Sequence, residues 1–224
     1  MSIVRRFTLG YRFVKKKKRF AAICKDMDFY WEMHQKHDFD HIISRESTAE
    51  EKDAWKNFIY GQDNHGHPVL YDLVGSSNLE LMKREFMRKG EPFGDNALRH
   101  GFHFMRRVEN IKMQASQRYG VQIYRHVQIM DMGEFTADHL RGKNKKLTKL
   151  VVNSMSRMFP EYTHRMYIIN APWPFRAAWG IIKNFMDPVT VSKTKVLSLF
   201  LALSLSFSLS VHVGALCICT CADR

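Results

Sequence analysis

The 224-residue chain is 45% hydrophobic and 25% charged, which excludes a disordered or fibrous protein and leaves room for one substantial domain. Its formal net charge of +13 sits at one end: residues 1–25 hold nine Lys or Arg and no acid, whereas the remaining 26 basic and 22 acidic residues leave only +4. The basic N-terminus therefore suits an anionic membrane surface, and no nucleic acid is expected as a partner. Four cysteines, three of them in the terminal "CICTC", make no disulfide framework, and "MSIVRRFTLGYRF" lacks the apolar core of a signal peptide. A cytoplasmic setting is expected. The tail cysteines lack the fourth ligand that a thiolate metal site needs, so no metal is expected there.

The basic start leads into "RFAAICKDMDFYWEMHQKHDFDHI", where Phe20, Cys24, Met27 and Trp31 recur at helical spacing. His34, His37 and His41 follow at spacings that a metal pair could use. No carboxylate partner is fixed by the sequence, and a solvated helix end is the expectation. "QDNHGH" then reads as a polar turn, Val69–Val74 as a strand, and Gly75-Ser76-Ser77-Asn78 as caps for the next helix, not as a phosphate loop, because no glycine-rich nucleotide pattern accompanies them.

From Asp95 to Tyr119 apolar residues recur at threes and fours, from Leu98 and Phe102 to Ile111 and Ala115, and Gly120 closes the run. "YRHVQIMDM" predicts a strand ending at Asp131. Leu147, Val151, Met155 and Met158 predict a helix stopped by Pro160, and "RMYIIN" and "KTKVLSLF" predict two more strands. Short, nearly all-apolar strands separated by helices indicate an α/β fold in which crossovers dominate over hairpins. Asp131 at a strand end could be catalytic in such a fold. With no Gly-x-Ser-x-Gly elbow, Cys–Arg phosphatase loop or metal cluster beside it, a cap or ion-pair role is expected, and the protein is not expected to be an enzyme.

"IINAPWPFRAAWGIIKNFMDPVTVSK" begins as a strand, turns at Pro172 and predicts a helix from Phe175 to Met186, with Pro174 in its first turn and Asp187-Pro188 as its stop. Phe175, Trp179, Ile182 and Met186 form one stripe, with Ala178 and Phe185 beside it. Burying each large side chain is worth about 1.5–3 kcal/mol, so the stripe must meet either a protein core or a lipid chain. The pattern alone favours the core.

A resemblance changes that balance. "FPEYTHRMYIINAPWPFRAAWGIIKNFMDPVTVSKTKVL" resembles the most characteristic segment of the CRAL-TRIO lipid-binding domain, closest to its phosphatidylinositol/phosphatidylcholine transfer proteins. "GHPVLYDLVG", "VQIMDMGEFT" and, more weakly, "RRFTLGYRF" are similar to earlier motifs of that family. The resemblance implies a sheet floor covered by helices behind a small N-terminal helical region (1–62), a lipid-binding domain over 63–197, and a proline-hinged helix that gates the cavity. It implies a bound phospholipid as the ligand, no other cofactor, and a peripheral-membrane protein whose exchange is triggered at the bilayer. The headgroup positions fall on Glu161, Thr190, Lys193 and Arg12, where Tyr11 replaces the family's second cation. The acyl chains would meet Phe175, Ala178, Trp179, Ile182, Phe185 and Met186. Lys15, Lys16, Lys17, Lys18 and Arg19 would contact the anionic surface.

Residues 198–224 depart from the family, which continues into a further helix and a Gly-Gly segment; here the chain turns to low-complexity Ser and Leu. The expectation is an aberrant tail in place of the last part of the domain. A tail anchor through 196–219 is the alternative, weakened by its serines and His212. Similar domains in small-GTPase regulators act as protein-interaction modules, which is the alternative function. A hydrolase on the same sheet lacks a nucleophile motif.

Overall fold

A computed structural model describes Phe7 and residues 16–44, 46–186 and 188–197. Helix α1 (Lys16–Lys36) opens it, and α2 (Ala49–Ala54) follows behind a Thr48 cap. The Thr48 hydroxyl accepts from the Glu51 amide at 3.1 Å and the Glu51 carboxylate accepts from the Thr48 amide at 3.0 Å, which satisfies two donors at once. Strands β1 (Asn57–Gln62) and β2 (Pro68–Asp72) form an antiparallel hairpin. Helices α3 (Leu79–Phe86) and α4 (Asp95–Tyr119) lead to β3 (His126–Asp131), α5 (Gly142–Met158), β4 (Thr163–Ile169), α6 (Trp173–Ile182), the short α7 (Pro188–Ser192) and β5 (Thr194–Val196). Helix α4 has the predicted bounds, closed by Gly120 in the left-handed region at φ 66°, where an L side chain would be strained.

The sheet is five-stranded in the order β1-β2-β3-β4-β5. All pairs but the first are parallel, so crossovers dominate as expected, and β1 is an addition that the sequence reading missed. It also places the division expected at 62/63 inside the β1–β2 hairpin. Register puts Asp72, Met130 and Ile168 side by side on one face, with Gln128 and Met166 in the adjacent row. The opposite face carries Val69, Val127 and Ile129 beneath Tyr71, Tyr167 and Ile169. It extends onto β1, where Phe58 stacks on Tyr71 at 5.2 Å.

Two local expectations change. His37 is not at a solvated helix end: its side chain is 3% exposed, edge-on to Phe102 at 5.2 Å, and Nε2 lies 3.7 Å from the Asp95 carboxylate. Only His41 of the three stays in solvent, 2.9 Å from Asp38. Of the residues expected to cap α3, Asn78 does so, accepting from the Glu80 and Leu81 amides, while the Ser76 and Ser77 hydroxyls donate to the Leu73 carbonyl.

Asp131 joins the ends of three strands. Its backbone carbonyl accepts from the Gly75 amide at 2.9 Å; Oδ1 accepts from the Gly133 amide at 2.8 Å, and both carboxylate oxygens accept from Asn170 Nδ2 at 3.1 Å. Gly75 is required here, because a Cβ would stand 2.6 Å from the Met132 carbonyl carbon and 2.8 Å from the Glu134 nitrogen.

Candidate functional site

The sheet face bearing Asp72, Met130 and Ile168 floors a cavity of about 620 Å³. Leu147, Val151 and Met155 of α5 and Phe86 of α3 wall it, and Phe175, Trp179, Ile182 and Met186 form its roof. The volume lies within the range of small-molecule sites. Helix α6 ends at Ile182 and continues as a 3₁₀ turn over Lys183–Phe185, so the predicted single helix to Met186 is two pieces. Pro174 stands in the first turn as its fixed φ and missing N–H predict. The stripe is also uneven. Phe175 is 2% exposed and belongs to a core cluster with Met132, Phe135 and Ile168, whereas Trp179 and Ile182 are half-buried at its margin.

Glu161 and Thr190 line the opposite end of the cavity. The Glu161 side chain is 1% exposed, and its Oε2 accepts from Arg125 Nη2 at 2.8 Å and from Lys193 Nζ at 3.0 Å. Lys193 also donates to the Thr163 carbonyl at 2.9 Å. Three of the four expected headgroup residues thus meet at one place. Arg12 and Lys15 lie outside the described residues, as do the side chains of Lys16, Lys17, Lys18, Arg19, Ala178 and Phe185, and the tail from Ser198 onward. Arg125 was missed. It stands just before β3, and only the parallel pairing of β3 with β4 brings it to Glu161, which precedes β4.

Polar groups on the floor were missed as well. Asp72 is buried and accepts from Trp55 Nε1 at 2.8 Å. Burial raises its pKa from 3.8 to about 6, although hydrogen bonds from Trp55 and Gln128 pull the other way. His100, packed against Trp55 and Phe86 of the cavity wall, is lowered from 6.5 to about 4, first by burial. His126, buried beside Lys112 Nζ at 3.1 Å, is pushed well below 6.5, first by burial and then by the Lys112 charge.

These two shifts act oppositely on stability. Folded Asp72 holds its proton more tightly than the unfolded chain does, so acidification from pH 7 to 4 adds stability; folded His100 holds its proton less tightly, so the same change removes it. Each is worth about 3 kcal/mol, and they offset. The variant Asp72→Asn should therefore be at least as stable as the wild type at pH 7 and lose about 3 kcal/mol relative to it by pH 4. Urea unfolding at stepped pH checks this, and parallel wild-type and variant profiles would refute it.

A family profile for the CRAL/TRIO domain matches residues 52–205. The chain belongs to the CRAL/TRIO domain family. It is 25% identical over 191 residues to the SEC14 cytosolic factor of Candida glabrata, covering 83% of this chain and 61% of that protein. Patellin-3 of Arabidopsis thaliana is 30% identical over 141 residues, covering 61% of this chain and 26% of that one. The phosphatidylinositol/phosphatidylcholine transfer protein SFH4 of Arabidopsis thaliana is 56% identical over 39 residues, covering 17% of this chain and 6% of that one. This chain therefore spans less than two thirds of the length of these relatives. The crystal structure of Sfh5 superposes with a TM-score of 0.65 at 18% identity, over 88% of this chain and 63% of that one, a likeness of fold. Among the described residues of this CRAL/TRIO protein, no helix is long and apolar enough to cross a membrane.

Proposed function

We propose that this chain binds a phospholipid in the cavity beneath α6 and carries or presents it between membranes, without catalysing a reaction. The observation that carries the reading is a single cavity with an apolar roof at one part and, at the other, Thr190 and Glu161, the latter paired with Lys193. An amphiphile needs that division. Acyl chains lie against Trp179, Ile182 and Met186, and the phosphodiester approaches Lys193 and the Thr190 hydroxyl. Inositol hydroxyls suit the Glu161 carboxylate as acceptor. Arg12 supplies a further cation in this reading. The name of the SFH4 relative supports phosphatidylinositol or phosphatidylcholine as the lipid.

The roof supports a cytoplasmic, peripheral membrane setting. Trp173 is 79% exposed and Ile181 55% exposed on α6, an apolar outer edge that a bilayer interface would accept, and Lys15–Arg19 would add attraction to anionic lipid. Moving α6 uncovers Trp179 and Ile182, which is unfavourable in water and favourable at the membrane.

Native mass spectrometry of the purified chain tests this: one phospholipid per chain is expected. Replacing Lys193 by Gln should weaken phosphatidylinositol and phosphatidylcholine alike, about tenfold, the loss of one charge-assisted hydrogen bond to the phosphodiester that both lipids carry. A chain that takes up neither lipid from vesicles would overturn the proposal, and unchanged uptake of both lipids by the Lys193 variant would overturn the headgroup assignment.

A further inference from the structure

The side of the sheet that faces away from the cavity carries an apolar row from one edge to the other. Register aligns Phe58, Tyr71, Ile129 and Tyr167 across β1 to β4 and ends the row at Lys195 on β5. Val69 and Val127 stand on one side of it and Ile169 on the other, and Tyr60 lies edge-on to Tyr71 at 5.7 Å. The other apolar clusters of the described residues all contain helix side chains, Phe102, Leu147 and Phe175 among them. This one is made of strand residues alone. It is most open at β1, where Phe58 is 43% and Tyr60 57% exposed. A contiguous apolar face of this kind marks a surface that something covers.

The sequence after β5 has the matching pattern. "LSLFLALSLSFSLSVHV", residues 197–213, is apolar at every odd position, and its even positions from Ser204 to Ser210 are all serine. An extended chain sorts these onto two edges, one apolar and one hydroxylated, whereas a helix would scatter the serines around its axis. The phase is also right. Lys195 pairs with Tyr167 and Val196 with Ile168, so strand alternation turns the odd positions toward the apolar row. Leu197, half-buried and with its amide donating to the Ile168 carbonyl at 2.8 Å, is the first of them past β5. Length agrees with pattern. The distance from β4 to β1 is about 14 Å, or about five extended residues, and 199–213 would span about 50 Å. The free edge of β5 offers only three residues to pair with, too few for a strand of that length.

We propose that residues 199–213 lie extended across the back of the sheet, with Leu203, Leu205, Phe207 and Leu209 set on the row from Tyr167 to Phe58 and the serines turned to water. The cavity floor and this face are two sides of the same strands, so the segment braces the floor from behind. That role is independent of what the cavity carries.

Photo-crosslinking of the full chain tests it. In Tyr60→p-benzoylphenylalanine, at the strand farthest from β5, irradiation of dilute protein should join β1 to a peptide from 199–213 within the monomer, as read by mass spectrometry. Leu203→Ser, Leu205→Ser and Leu209→Ser together should abolish that product. Ser204→Thr, Ser206→Thr and Ser208→Thr, on the other edge, should keep it. Absence of the internal product would overturn the proposal. Covalent dimers in its place would assign the face to a second copy, and a probe that joins vesicle lipid instead would assign it to a membrane; either overturns the proposal. Equal loss in both triple variants would remove the phase on which it stands. The unaltered tail decides the question even where a triple variant does not fold.

Discussion

Trp179→Asp should abolish lipid transfer and leave the melting temperature within a few degrees of the wild type, whereas Phe175→Asp should destroy both. The two residues share a stripe one helical turn apart, but their surroundings differ. Phe175 is 2% exposed, edge-on to Phe135 and packed with Met132 and Ile168. Removing such a ring costs about 3–5 kcal/mol, and an unpaired carboxylate in its place costs more, enough to unfold a domain of ordinary stability. Trp179 is half-buried and lines the cavity, with its ring 5.9 Å from Phe175. A carboxylate there can turn to solvent in the lipid-free protein, yet it would oppose an acyl chain beneath the roof or a bilayer outside it. A vesicle-to-vesicle transfer assay run beside a thermal melt separates the cases. Should Trp179→Asp melt as early as Phe175→Asp, α6 is an ordinary core helix and the gating role is lost.

Glu161→Gln should lower the unfolding free energy by about 3 kcal/mol, and Arg125→Gln or Lys193→Gln by only about 1 kcal/mol each. The asymmetry comes from burial. Glu161 has a 1% exposed side chain between two cations that keep 26% and 17% of theirs. Loss of either cation leaves the carboxylate beside the other cation, while loss of the carboxylate removes the negative charge that both cations share. The residue also holds a left-handed backbone at φ 62°, a conformation that costs about 1–2 kcal/mol for an L residue and persists only where the surroundings impose it. Urea denaturation of the three variants at neutral pH measures the series. If Glu161→Gln costs no more than either cation variant, the carboxylate is not the centre of the cluster.

The parts of this protein legible in its sequence are those whose cause is local. Helix α4 could be bounded because its apolar stripe and Gly120 lie within it, and Pro174 fixed the start of α6 through its own ring. Strand β1 was not legible: Phe58 and Tyr60 stay 43% and 57% exposed, so little burial pattern marks them, and the strand exists because β2 pairs with it. His37 was misplaced because its partner Phe102 lies on another helix. The headgroup candidates Glu161, Thr190 and Lys193 were reached through family resemblance, not through pattern. Arg125 and Asp72 needed the sheet register and the cavity, which no spacing along the chain discloses.

The Asp131 junction bears on how the roof can move. Asn170, in the left-handed region at φ 53°, stands immediately before the Ala171-Pro172 turn into α6, and its side-chain amide is moored to both Asp131 oxygens. Phe175, one turn further on, is wedged in the core. The turn into this helix is thus held by side-chain hydrogen bonds, and at its other end the helix runs into the 3₁₀ turn Lys183–Phe185. Under the proposed gating, this mooring would keep the smaller displacement at Phe175 and the larger toward Ile182, so opening would begin above the end of the cavity nearest Thr190.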